Sequence, residues 1–295
     1  MKKLLLLISI LLSPLSAFAV NCSWQVVPTN INFGNYSAFS TSPVTATSTF
    51  TIQCTPPATG IVTLSTGGSA TYNPRKMNRT VAPLYQMNYN LYRDAANSII
   101  WGDGTSGTQY LSFTPVPGST QLSATIYATI PAGLDVAPGT YTDTIQATLN
   151  WGTGSSNRFF TVTATVGSEC TVSSSSVNFG AYDPVSANAT TPRDSTGTVN
   201  VYCTPGTLAT VALDLGIHAS GSTRRMLAGA NLLTYEIYRD STRTVVWNTT
   251  NTNSGTSTSK NTPINSGFIA YGRIPAGQDV AIGSYSDTVL VTVNY

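Results

Sequence analysis

The only histidine of the chain, His218, follows Asp214 by four residues, and a histidine beside a carboxylate is a common pair for moving protons. Both lie in a stretch of strand-like alternation, where four residues span roughly 13 Å, beyond hydrogen-bond reach. A second copy of the same stretch carries Ser65 and Ser69 at those places, so no shared acid-base site can be assembled and His218 reads as a surface residue. Gly102-Asp103-Gly104-Thr105-Ser106-Gly107 fits G-x-G-x-x-G, a phosphate cradle when a helix follows and offers its N-terminus. Here Gln109-Tyr110-Leu111 continues in strand or loop style, so the glycines read as a turn. Asn78-Arg79-Thr80, Asn188-Ala189-Thr190 and Asn248-Thr249-Thr250 fit the glycosylation sequon, a pattern that arises by chance in a Thr-rich chain. No catalytic cluster emerges. The expectation is a protein that is not an enzyme and takes no cofactor and no metal.

The elements that position these residues begin with a leader. Lys2 and Lys3, an apolar run from Leu4 to Leu12, and Ala17-Phe18-Ala19 have the pattern of a secretory signal over residues 1–19. Cleavage there leaves a chain starting near Val20, expected to be soluble and exported, since the apolar run is too short to span a bilayer. Taking Lys2 and Lys3 from the 14 basic residues leaves 12 against 12 acidic ones, and only 9% of the chain is charged. That balance excludes the electrostatic footprint of a nucleic-acid or anionic-membrane binder. Cys22, Cys54, Cys170 and Cys203 lack the close spacing of a metal site and, in an exported chain, imply two disulfides.

An internal repeat organises the rest. Asn32-Phe33-Gly34-Asn35-Tyr36 returns as Asn178-Phe179-Gly180-Ala181-Tyr182, and Cys54-Thr55-Pro56 as Cys203-Thr204-Pro205. Tyr89-Asn90-Leu91-Tyr92-Arg93-Asp94 returns as Tyr235-Glu236-Ile237-Tyr238-Arg239-Asp240, Trp101 as Trp247, and Ile130-Pro131-Ala132-Gly133-Leu134-Asp135-Val136 as Ile274-Pro275-Ala276-Gly277-Gln278-Asp279-Val280. The repeat predicts two domains of one fold, residues 20–168 and 169–295, with disulfides Cys22 to Cys54 and Cys170 to Cys203. Both halves alternate Val, Ile, Thr and Tyr with polar residues between Gly, Pro, Asn and Ser breaks, so the fold class is all-β. Two tandem immunoglobulin-like sandwiches fit best, and the Gly-x-Tyr-x-Asp runs at Tyr141 and Tyr285 resemble a tyrosine corner.

The two copies end differently. After Gly139 to Trp151 the first continues through a Gly/Ser turn into one more alternating strand, Phe160 to Val166. The second runs from Gly283 to Tyr295 with Tyr285, Val289, Val291, Val293 and Tyr295 on one face, and nothing follows. The C-terminal domain is thus expected to lack its last strand and to accept one at those five residues, unless rearranged sheet order supplies it from within. Four or five missing inward apolar side chains, at roughly 1.5–3 kcal/mol each, amount to about 10 kcal/mol. That is comparable with the whole net stability of a domain, about 5–15 kcal/mol.

Cys22 with Asn-Phe-Gly, Arg75-Lys76-Met77 and Arg224-Arg225-Met226, the Leu/Ile-Tyr-Arg-Asp and Ile-Pro-Ala-Gly segments and the final Gly-x-Tyr-x-Asp strand together resemble the spore coat protein U domain. The likeness covers both halves. That domain occurs in archaic chaperone-usher pilins, and a tandem pair resembles the tip adhesin of such pili. The resemblance implies a periplasmic chaperone that lends a strand, an outer-membrane usher, an adjacent pilin that donates one, and a cell-surface position at the pilus tip. Only Val20 and Asn21 precede Cys22 after cleavage, too few to donate a strand, which agrees with the leading end of a fibre.

Family tip adhesins hold abiotic or host surfaces through hydrophobic loops, and three loops of the first domain are more apolar than their counterparts. They contain Ala38 and Phe39; Val81, Ala82, Pro83, Leu84 and Tyr85; and Phe113, Pro115, Val116 and Pro117. Each loop can face a surface or cap the core. Two rival readings stand beside the adhesin: a carbohydrate-binding fimbrial lectin, using aromatics such as Trp101 or Tyr110, and a free secreted structural or coat protein with two self-sufficient domains.

Overall fold

The structure, a computed structural model, describes residues 19–114 and 121–295. All of the expected leader except Ala19 lies outside them, as do Pro115, Val116 and Pro117 of the third loop. Among the described residues no helix is long and apolar enough to cross a membrane.

Domain 1 holds strands β1 (Asn21–Val26), β2 (Ile31–Tyr36), β3 (Val44–Thr55), β4 (Gly60–Leu64), β5 (Arg75–Arg79), β6 (Gln86–Tyr92), β7 (Leu111–Phe113), β8 (Gln121–Ile130), β9 (Gly139–Asn150) and β10 (Ser155–Val166). They form one curled sheet in the order β1-β3-β8-β6-β5-β9-β10-β2, with β4 joining β9 to β7. Because β5 pairs with both β6 and β9, the sheet folds over and buries its alternating apolar face against itself. Phe50, Ile52, Met77, Leu91, Ile145, Phe160 and Val162 fill the core. Strand β10 is antiparallel to β9 along its full length and parallel to β2, so it closes this face.

Domain 2 holds β11 (Cys170–Ser174), β12 (Arg193–Cys203), β13 (Leu208–Leu213), β14 (Arg224–Ala228), β15 (Asn231–Tyr238), β16 (Asn253–Thr256), β17 (Phe268–Ile274) and β18 (Val291–Asn294). One face, β11-β12-β17-β15-β14, repeats β1-β3-β8-β6-β5; the other is only β16-β13-β18. The disulfides Cys22–Cys54 and Cys170–Cys203 cross-link the same strand pair in each domain, the pairing the repeat implied. The fold class is therefore as read from the sequence: two tandem β domains, the second missing the strand that closes the first.

The structural order along domain 1 follows from the β9–β10 ladder. Val166 pairs with Gly139 at the end where the chain enters domain 2, and Ser155 pairs with Asn150 at the far end. The two ends stand roughly 35–40 Å apart, twelve residues at a strand's rise.

Candidate functional site

Each repeat is braced by the same polar core. Tyr141 Oη donates to Ala137 O at 2.7 Å and Tyr285 Oη to Ala281 O at 2.8 Å, so both tyrosine corners form. Two residues on, Asp143 accepts from Tyr89 Oη at 2.6 Å and from Gly68 N at 2.8 Å. Asp287 accepts from Tyr235 Oη at 2.8 Å and from Ile217 N at 3.1 Å. Burial first and the carboxylate second push both tyrosine hydroxyls far above their ordinary pKa. Gly67 and Gly216, both at positive φ, lie against these carboxylates where a Cβ would collide. Arg75 and Arg224 are fully buried and tie the strands together. Arg75 donates to Ser65 O (3.0 Å), Asn90 Oδ1 (2.8 Å) and Trp101 O (2.6 Å). Arg224 donates to Asp214 O, Trp247 O and Glu236 Oε1.

On this shared frame domain 2 carries a groove of about 1130 Å³. It lies between residues 174–185 and 280–291, whose counterparts in domain 1 are β2 and β9, and it occupies the place of β10. Val177, Phe179, Leu213, Met226, Tyr235 and Val289 are among its lining residues. Neither wall forms the ladder seen in domain 1. The Asn178-Phe179-Gly180 segment is not a strand although its copy is β2, and only Val291–Asn294 of the run from Gly283 is paired as a strand, against β13. The groove is thus an apolar trough between two segments that lack the strand pairing of their copies in domain 1.

Of the five residues read as acceptors, Tyr285, Val289 and Val291 line the groove. Val293 packs against the core beyond it, and Tyr295 is exposed past the end of β18. The opposite wall, Val177, Phe179 and Tyr182, is missing from the sequence reading. Its signal was present in the repeated Asn-Phe-Gly motif, but the parallel pairing of β2 with β10 joins segments about 130 residues apart and leaves no local pattern.

His218 is half-buried rather than free on the surface. Its Nδ1 lies 3.0 Å from Asp287 Oδ1, so its carboxylate partner is Asp287 and not Asp214. With Tyr235 on the other carboxylate oxygen, the trio braces the groove floor. Gly102 to Gly107 forms a turn, with Thr105 N capped by Asp103 at 2.9 Å. Among the described residues no cluster of His, Cys, Asp and Glu could hold a metal.

The three apolar loops of domain 1 do not share one end. Ala38 is fully buried, and Phe39 packs against the core with Lys260 Nζ of domain 2 at 5.7 Å from its ring centroid. Both are therefore at the domain junction, where the turn after β2 meets the second domain. The loop from Val81 to Tyr85 lies at that same end, since Thr80 N donates to Thr140 O at 2.9 Å. In it Val81, Ala82, Pro83 and Leu84 are exposed, Leu84 at 78%, while Tyr85 lies under the Arg79 guanidinium. Phe113 alone is at the far end, half-buried on Gly60. Two neighbours there were missed in the sequence. One is the loop from Pro56 to Gly60. The other is Trp151, whose ring lies on Gly154 and whose Nε1 donates to Val20 O at 3.2 Å.

The family model of the Spore Coat Protein U domain matches the chain twice, over residues 10–148 and 156–292. The chain belongs to the spore coat protein U domain family. The first match stops within β9 and the second begins within β10, so the strand that closes the first sandwich is counted with the second spore coat protein U repeat. Protein U of Myxococcus xanthus is 35% identical over 146 residues, covering 45% of this chain and 80% of that protein. A chain of the CsuC–CsuE chaperone–tip adhesion subunit pre-assembly complex, from the archaic chaperone-usher Csu pili of Acinetobacter baumannii, superposes with a TM-score of 0.52. It shares 18% identity, over 93% of this chain and 100% of that one, and so has the same fold. The CupB6 tip adhesin of Pseudomonas aeruginosa aligns over 93% of this chain and 95% of its own at 10% identity, with a TM-score of 0.36.

Proposed function

We propose that this spore coat protein U domain chain is a non-enzymatic adhesive subunit of an archaic chaperone-usher pilus. It is exported through the periplasm and stands at the fibre's leading end. The observation that carries this reading is the groove of domain 2 in the place that β10 fills in domain 1. In domain 1, Phe160, Val162, Ala164 and Val166 of β10 are buried in that place. A strand that buries four such residues in domain 2 contributes on the order of 10 kcal/mol, enough to decide whether the domain folds. A periplasmic chaperone supplies that strand first, the usher mediates exchange, and an adjacent pilin supplies it in the fibre by β-augmentation. The superposition on a subunit of a chaperone–tip adhesion complex supports the same assignment.

Domain 1 has its own strand and needs no donor, which leaves its far end free for a surface. That end gathers Pro56, Pro57, Phe113 and Trp151, and Thr114 leads from it into Pro115-Val116-Pro117. An abiotic or host surface is held there by apolar contact, each one weak, and many pili in parallel multiply the effect.

The test uses the repeat itself. Tyr295 is the counterpart of Trp151, so residues 152–166 appended after Tyr295 reproduce the turn and strand of domain 1. The extended chain is expected to be a stable monomer with a raised Tm for domain 2, whereas the chain without the extension aggregates or is degraded. If both chains are equally stable monomers, domain 2 is self-sufficient, and the coat-protein reading suggested by the likeness to Protein U replaces the pilus reading.

A further inference from the structure

The junction inside this chain shows how one repeat meets the next, and half of that junction recurs unpartnered at the other end of domain 2. From Val166, at the end of β10, three residues lead to Cys170, the start of β11. This places the far-end loop of domain 2 against the linker end of domain 1. Ser259 Oγ donates to Asp135 Oδ2 at 2.7 Å, and Lys260 N donates to Asp135 Oδ1 at 2.9 Å. Lys260 Nζ covers the Phe39 ring, and Ser37 Oγ donates to Glu169 Oε2 at 2.8 Å. The junction therefore has an acceptor carboxylate, Asp135, and an apolar side chain, Phe39, on one repeat. The other repeat meets them with a loop offering a hydroxyl, a main-chain N–H and a cation.

The same two acceptor positions exist on domain 2. Asp135 lies in Ile-Pro-Ala-Gly-Leu-Asp-Val and its copy, Asp279, lies in Ile-Pro-Ala-Gly-Gln-Asp-Val; Phe39 returns as Val185. Asp279 is exposed, and no hydrogen bond or ion pair holds it. Val185 is 89% exposed, whereas Phe39 is half-buried. Both sit at the end of the open groove from which a strand in the place of β10 would emerge, because β10 leaves domain 1 beside Gly139, the counterpart of Gly283.

We infer that Asp279 and Val185 form a docking surface for a further domain of this same repeat. That domain arrives by its leading strand in the groove and caps Asp279 with its far-end loop as Ser259 and Lys260 cap Asp135. This rests on the strand-accepting reading of domain 2 and adds to it: the next subunit is held by a second, polar contact outside the groove, which sets the angle between neighbours. The base of domain 2 also differs from that of domain 1 in carrying Asp183 where domain 1 has Ser37. The residue that the incoming domain places where Glu169 stands is accordingly not an acid but a hydroxyl, amide or basic side chain, since two carboxylates facing there would repel.

The experiment extends the full chain after Tyr295 with a copy of residues 152–295, in which Glu169→Gln removes the acid that would face Asp183, followed by residues 152–166, which closes the last groove. Asp279→Cys in the original domain 2 is combined with Ser259→Cys in the appended copy, and the disulfide between them is read by mass spectrometry. The control is Asp135→Cys with Ser259→Cys within the original chain, where the partners already touch. Cross-linking equal in extent to the control is expected. Cross-linking no greater than that of Asp240→Cys with the same Ser259→Cys overturns the inference, provided that the chain extended by residues 152–166 alone shows its raised Tm. If that extension leaves Tm unchanged, the strand-accepting reading fails first, and the docking surface fails with it.

Discussion

Tyr235 Oη donates to Asp287 Oδ2 at 2.8 Å, and the same bond in the first repeat joins Tyr89 to Asp143 at 2.6 Å. The pairs are equivalent, yet Tyr89 is covered by a closed sheet and Tyr235 lines a groove. A carboxylate buried between the two faces must be hydrogen-bonded, and this hydroxyl is the donor that comes from the opposite face of the sandwich.

Tyr89→Phe removes that donor and keeps the ring. It is expected to destabilise domain 1 by about 1.5–3 kcal/mol, the range for a hydrogen bond to a buried charged group. Urea unfolding should show a lower midpoint at an unchanged m-value; an unchanged midpoint would mean that Asp143 is satisfied without Tyr89.

Arg75 is the second structural anchor. Burial, against the pull of nearby Tyr89, Tyr72 and the carboxylates, brings its guanidinium down from its ordinary value to about 10, so it remains charged at neutral pH. Its three acceptors, Ser65 O, Asn90 Oδ1 and Trp101 O, need a planar fork of donors. Arg75→Met leaves them unpaired and is expected to cost about 3 kcal/mol or more. Arg75→Lys is expected to recover less than half of the loss in chemical denaturation, because an ammonium group cannot match the fork.

Adhesion separates the two ends of domain 1. Charge placed in the far-end loop, Pro57→Asp, is expected to cut retention on polystyrene. A lost apolar contact of about 1–2 kcal/mol corresponds to roughly a 5- to 30-fold loss per molecule. Leu84→Asp, in an equally apolar loop at the linker end, is expected to leave retention unchanged. The reverse ranking in a washing assay would move the contact surface to the junction side.

Acid sensitivity follows from capped loops. Asp240 accepts from the hydroxyl of Thr242 and from Thr244 N (3.0 Å) and Val245 N (2.7 Å), and these bonds hold its pKa well below 3.8. Because the folded pKa is the lower one, the stabilisation is complete above the unfolded carboxylate value and is lost as pH falls through it toward the folded value. Urea midpoints are therefore expected to be level from pH 8 to pH 5 and to fall below about pH 4, with a shallower acid fall for Asp240→Asn. Identical acid limbs for the two proteins would show that this carboxylate contributes nothing.

The repeat made the architecture legible. Cys22 with Cys54 and Cys170 with Cys203, the strands around Leu-Tyr-Arg-Asp, and the extra strand Phe160 to Val166 in one copy alone are local patterns, and alternation along one strand is enough to read them. What only the tertiary structure decided depends on which segments are brought together across the sandwich. His218 lies beside Asp287, 69 residues away, because two strand ends meet on the far sheet. Ala38 and Phe39 turn inward at a domain junction, although their composition matches that of an exposed finger. Val177 and Phe179 line the groove together with Tyr285 and Val289, residues far away in the chain. Side-chain period reports which face of a strand is buried; it carries no information about which strand lies alongside or at which end of the sheet a loop emerges. Those are set by packing between residues far apart in the chain, where the free energy of burial selects one arrangement.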